Sequence, residues 1–163
     1  LSPYMGVFER KVAFREKALD QQEHERPTEV IVLGLGRFGM VIAQTLQQKG
    51  IQVLAIDFNP LLVQETAEHG VPTRYGDAED PEFIRSLPLN EAKWVLGTMR
   101  DRQVNMALFQ SLKSDAFAGK IALAVNKQSE IDEFKALGIN MVLLPYHDAA
   151  IQTVQRLLSD KQE

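Results

Sequence analysis

The chain is read as an α/β protein built on a doubly wound parallel sheet of six strands. Two observations predict this. From Glu29 onward, short apolar runs alternate with amphipathic stretches. Most of the runs are apolar at successive positions rather than every second one, the mark of strands covered on both faces by helices.

The elements follow in order. Residues 1–27, "LSPYMGVFERKVAFREKALDQQEHERP", differ in texture from the rest: Met5, Phe8, Val12 and Leu19 lie near one helical face with alternating charges between them. They are read as a connecting helix, with Gln21 to Arg26 as a polar hinge and Pro27 as the stop. Residues 28–163 form the folded domain. Its strands are placed at 30–34, 52–56, 71–76, 94–98, 121–125 and 141–145. The run at 71–76 is the most polar and is expected at an edge; in the order 3-2-1-4-5-6 the third strand is one.

Between them the helices are punctuated. One runs from about Phe38 to Lys49 and stops at Gly50. Asn59-Pro60 pairs a cap with proline at the first helical position and opens a helix ending at Gly70; Asp80-Pro81 repeats that start. "SEID" at 129–132 resembles a capping box, closed by Gly138. A last helix, from about Asp148 to Leu158, carries Ala150, Ile151, Val154, Leu157 and Leu158. That stripe serves either to close the apolar sixth strand or to meet a second copy of the chain.

Composition sets limits. A charged fraction of 25% with a net charge of −4 argues against a nucleic-acid surface. There is no cysteine, so disulfides, thiolate metal sites and a cysteine nucleophile are excluded. His24, His69 and His147 are not in a metal-ligand spacing. No stretch approaches the length of a membrane span. The start at Leu1 is read as that of a piece of a longer protein.

The chemistry lies in the first β-α-β unit. Gly34, Gly36 and Gly39 form G-x-G-x-x-G after a buried strand and before a helix, which makes the fold Rossmann-type. Gly34 allows the tight turn, Gly36 lets main-chain N–H groups approach a phosphate, and Gly39 lets helix and strand pack closely. The helix N-terminus adds orphan donors and a partial positive charge. Arg37 lies inside the loop. Asp57, at the end of the second strand, is placed to accept hydrogen bonds from a ribose diol, or to cap the helix at Asn59-Pro60. A carboxylate there repels a 2′-phosphate, so NADP is disfavoured, while AMP, ADP, ATP and NAD(H) remain. Asp57→Ala is expected to weaken binding with little effect on the melting of the free protein. Asp77 and Ala78 follow the third strand beside the adenine or in a plain turn, and Thr98, Met99 and Arg100 follow the fourth, facing the crevice. A dehydrogenase would also need a substrate-holding region and an acid-base residue; only one helix follows the sixth strand.

Together "IVLGLGRFGMVIAQTL", "LAIDFNP", "YGDAEDPEFI" and "GTMRD…VNMALF" resemble the RCK N-terminal domain, also called the TrkA N-terminal domain, a nucleotide-binding module that regulates potassium channels and cation transporters. The stretch before it is similar to the segment after the last membrane helix in bacterial cation:proton antiporters related to the glutathione-gated potassium efflux systems. The resemblance implies a homodimer, AMP or NAD(H) in the crevice, a membrane transport domain on the same polypeptide, and a place on the cytoplasmic face of the bacterial inner membrane, without catalysis. Its implied nucleotide-binding residues are Gly34, Gly36, Arg37, Phe38, Gly39, Asp57, Phe58, Asp77, Ala78, Thr98 and Met99. Glutathione-gated members carry an arginine-rich stretch after strand five where this chain has "LAVNKQSE", with Asn126 and Lys127. An NAD-dependent oxidoreductase fragment and a soluble channel subunit are the alternatives.

Overall fold

The computed structural model describes residues 26–160, so the proposed connecting segment lies almost wholly outside the described residues. Six strands form one parallel sheet: β1 (Val30–Leu33), β2 (Val53–Asp57), β3 (Thr73–Tyr75), β4 (Trp94–Gly97), β5 (Lys120–Ala124) and β6 (Met141–Leu143). Their order is β3-β2-β1-β4-β5-β6, with β1 pairing to both β2 and β4. The chain reverses direction across the sheet at that point, so a crevice opens beyond the carboxyl ends of β1 and β4. Among the described residues six helices lie between or after the strands: α1 (Arg37–Gln48), α2 (Pro60–Glu68), α3 (Pro81–Arg85), α4 (Arg102–Ser114), α5 (Glu130–Ala136) and α6 (Pro145–Ser159).

Strand alternation divides the apolar runs between two cores. Ile31, Leu33, Ile56, Val95, Ile121 and Leu123 join Leu108, Leu112 and Phe134 on one face. Val30, Val32, Val53 and Ala55 join Leu35, Ala43 and Val71 on the other. This is why the runs are continuously apolar: each residue meets a helix layer, whichever way it points.

The helix boundaries follow the punctuation. Asn59, Asp80 and Asp101 each accept a hydrogen bond from the backbone N–H two residues on, at 3.0, 2.9 and 2.8 Å. Helices α1, α2 and α5 stop two residues before Gly50, Gly70 and Gly138. Three expectations need correction. Ser129 already has helical angles (φ −63°, ψ −18°) and makes no side-chain cap. Instead, Glu130 reaches back and accepts from the N–H groups of Asn126 and Lys127, both at 3.2 Å. The edge strands β3 and β6 span only three residues each, shorter than their apolar runs. Helix α6 begins three residues earlier than read, because Pro145 takes its first position.

The last helix also answers the question of what it covers. None of its residues is buried. Ile151, Val154, Leu157 and Leu158 are 49–62% exposed, and Met141 on the β6 edge is 46% exposed. The stripe therefore does not close its own sheet.

Candidate functional site

The site is built around the turn from β1 into α1. Gly34 has φ +100°, and a Cβ there would lie 2.9 Å from Thr98 Oγ1 and 3.0 Å from the Met99 backbone nitrogen. The left-handed backbone and the close approach of β4 both require glycine. Gly39 is tighter still: a Cβ would fall 1.8 Å from the Gly34 carbonyl oxygen. Gly39 is thus a packing residue, and it does not line the cavity beside it. Thr98 Oγ1 donates to the Gly34 carbonyl at 2.6 Å, tying the loop to the end of β4.

Gly36 differs from both. Its φ is −64°, which any residue adopts, and a Cβ would meet nothing within 4 Å. It precedes α1, whose N-terminus has no side-chain cap and no acidic residue in its first turn. The leading N–H groups of that helix therefore keep a donor capacity that no side chain of its own takes up.

Asp57 stands across from the turn, 9% exposed. Its Oδ2 accepts from Leu35 N–H at 2.7 Å and its Oδ1 from Asn59 N–H at 2.8 Å. One carboxylate thus clamps the glycine loop and starts the approach to α2. Each oxygen has a second lone-pair direction, so the group keeps the capacity to accept a further donor. Because it holds the loop, its removal costs stability, which revises the expectation that Asp57→Ala has little effect on the melting of the free protein.

A cavity of about 1190 Å³ opens above these groups. Of the expected residues, Gly34, Gly36, Arg37, Phe38, Asp57, Phe58, Asp77, Ala78, Thr98 and Met99 line it. Phe58 is 67% exposed at the rim. Asp77 Oδ1 accepts from Glu79 N–H at 2.9 Å, closing the turn after β3, and Ala78 is buried behind it. Gly76 joins this wall because a side chain there would run into the Phe83 ring, 2.0 Å from its Cβ position.

The cavity also extends past β4. Asp101, Asn126, Pro145, Tyr146 and His147 line this half along with Arg100, which the sequence did place there. Arg100 Nη2 donates to Tyr146 Oη at 3.4 Å, and Asn126 Nδ2 donates to the Arg100 carbonyl at 2.5 Å. Buried Asn105 on α4 donates to the carbonyls of Met99 and Ala124, both at 2.9 Å, holding the ends of β4 and β5 together beneath it. His147 Nδ1 lies 3.7 Å from Asp148 Oδ1. No cluster of three or more metal-ligating side chains occurs among the described residues.

The TrkA-N domain family model matches residues 30–145, the whole doubly wound unit from β1 to the start of α6. The chain belongs to the TrkA-N domain family. Among curated proteins, this TrkA-N domain is 27% identical over 106 residues to the glutathione-regulated potassium-efflux system protein KefC of several Salmonella strains. The match covers 65% of this chain and spans only 17% of that relative's length. Among solved structures, the TrkA-N domain is similar to the NAD(P)-binding domain of an exopolyphosphatase-related protein from Archaeoglobus fulgidus, with TM-score 0.73 and 27% identity over 83% of this chain and 99% of the other. It shares its fold with the Shewanella denitrificans Kef C-terminal domain in an AMP-bound form, with TM-score 0.68 and 18% identity over 83% of this chain and 82% of the other.

Proposed function

We propose that this TrkA-N domain is the nucleotide-sensing regulatory part of a monovalent cation/proton antiporter, responding to AMP or NAD(H) without catalysing a reaction. In this reading the phosphates sit on the turn from Gly34 to Gly39. Asp57 accepts the ribose hydroxyls, and the adenine lies by Phe58, Asp77 and Ala78. Thr98 and Met99 form the floor.

The observation that carries the reading is Gly36. Gly34 and Gly39 are explained by neighbours inside the protein. Gly36 has an ordinary backbone conformation and open space where a side chain would stand. Its lack of a side chain has a use once an anion approaches the uncapped α1 N-terminus. The kinship with KefC supports a transporter as the context, and an AMP-bound fold neighbour supports an adenylate as the ligand. The buried carboxylate of Asp57 disfavours NADP, whose 2′-phosphate would face it.

The exposed stripe on α6 supports a homodimer formed through that helix. The transport domain would precede the domain on the same polypeptide, placing it on the cytoplasmic face of the bacterial inner membrane. Nucleotide would then act by binding one arrangement of the dimer more tightly than the other. Parallel calorimetric titrations with AMP, ADP, NAD, NADH and NADPH test the reading. Binding of AMP or NADH with NADPH much weaker is the expected result; no adenylate binding at millimolar concentrations overturns it.

A further inference from the structure

At the amino ends of the strands, opposite the nucleotide cavity, lies a second concavity of about 910 Å³. Leu87, Leu89, Glu91, Lys93, Asp115 and Phe117 define it. Leu87 is buried, and the half-buried Leu89 and Phe117 pack on the main core, so the floor is apolar. Asp115 supplies an unmet demand. Its Oδ1 accepts from Arg85 Nε at 3.2 Å, while its Oδ2 is buried with no hydrogen-bond partner. An orphaned carboxylate oxygen in such a place is costly and calls for a donor.

The chain enters the domain at the rim of this groove. Thr28 N–H donates to Glu91 Oε2 at 3.2 Å. The N–H groups of Lys93 and Trp94 donate to the Glu29 carbonyl at 2.8 and 3.2 Å. Lys93 Nζ pairs with Glu29 Oε1 at 2.9 Å. Everything before Pro27 is therefore tethered beside the groove. That segment carries the apolar stripe Met5, Phe8, Val12 and Leu19, and the basic residues Arg10, Lys11, Arg15 and Lys17 lie among them.

We propose that residues 1–26 of this chain dock into the groove, the stripe on Leu89 and Phe117 and a basic side chain on Asp115. The polar stretch 21–27 reaches at most about 25 Å when extended, enough for the segment to turn back over the rim. So short a tether holds its effective concentration near the millimolar range, an advantage that no separate partner has. Docking there would make the segment move as one body with the amino ends of β1 and β4, whatever occupies the cavity at their other ends. The inference does not depend on the identity of the nucleotide.

The absence of cysteine makes the test direct. A nitroxide is attached to Ala13→Cys in the full 163-residue chain, and backbone amide signals are followed by NMR. The expected result is loss of the amide signals of residues 116–119 and 89–91, and their recovery when Phe8→Ser and Val12→Ser are added. These two substitutions lie outside the Rossmann unit and leave it folded. A mixture of isotope-labelled and nitroxide-bearing chains tests for a second copy. Equal signal loss at the same amides in that mixture, loss centred on α6 or on the β6 edge, loss that persists with Phe8→Ser and Val12→Ser, or no localised loss would each overturn the proposal.

Discussion

Replacing Gly36 with alanine separates a glycine kept for a ligand from one kept for the fold. In the free protein the new Cβ meets nothing within 4 Å, and the φ of −64° suits alanine. Alanine is a poorer N-cap than glycine, by about 0.5–1 kcal/mol. It also restricts the unfolded chain, a gain of about 0.4–1 kcal/mol. The two nearly cancel, so the melting temperature should move by no more than about 3 °C. Binding should respond differently. On the proposed reading the methyl group would stand between the α1 amides and the phosphate, and losing two charge-assisted hydrogen bonds of about 1.5–3 kcal/mol each would remove roughly 3–6 kcal/mol. At 1.4 kcal/mol per decade, Kd should rise by about 10² to 10⁴. Gly39→Ala is the contrast: its Cβ would fall 1.8 Å from the Gly34 carbonyl oxygen, and the domain should lose stability outright. Calorimetry for affinity and scanning calorimetry for stability decide between them. Unchanged adenylate affinity in Gly36→Ala, or destabilisation matching that of Gly39→Ala, would refute the reasoning.

Three further predictions follow from other contacts. Asp57→Asn keeps one acceptor oxygen but loses a charge-assisted bond to Leu35 or Asn59, so the free protein should lose about 1–3 kcal/mol in denaturant titration while its preference for NADH over NADPH narrows. Val154→Asp with Leu157→Asp, both on exposed positions of α6, should convert a dimer to a monomer in sedimentation and remove any dependence of the melting temperature on protein concentration; a chain that is monomeric before the change counts against the dimer. The Glu29 carboxyl is held below its usual range, chiefly by its hydrogen bond from Lys93. A depressed carboxylate stabilises the fold above its unfolded pKa and loses that contribution as pH falls through the lower folded value. The stability gap between the natural chain and Glu29→Gln should therefore be present at neutral pH and close in acid, as read by melting temperature against pH.

The glycine turn was legible because its causes are local. Gly34, Gly36 and Gly39 stand in a G-x-G-x-x-G between a buried strand and a helix, and the cap-proline pairs Asn59-Pro60 and Asp80-Pro81 start helices from their own side chains. The doubly wound order followed from continuous apolar runs, since a strand with no polar face has to be covered twice. The remaining features depend on partners far along the chain. That Gly39 packs while Gly36 stays open is set by where the Gly34 carbonyl comes to lie. That Asp57 is a clamp as well as a candidate ribose ligand depends on Leu35, 22 residues before it. The half of the cavity lined by Asn126, Tyr146 and His147 exists because β5 and β6 are laid beside β4, and nothing within those segments announces it.

By itself, the sequence determined the order of elements, their parallel sheet and the glycine turn from β1 into α1, because periodicity, capping and glycine spacing act over a few residues. The tertiary structure alone decided which glycine faces open space, what the aspartate holds, how far the cavity runs, and that the last helix leaves its apolar stripe in the open. Those properties arise from distances between segments, and such distances come into being only when the sheet closes its ladder and packs its two cores.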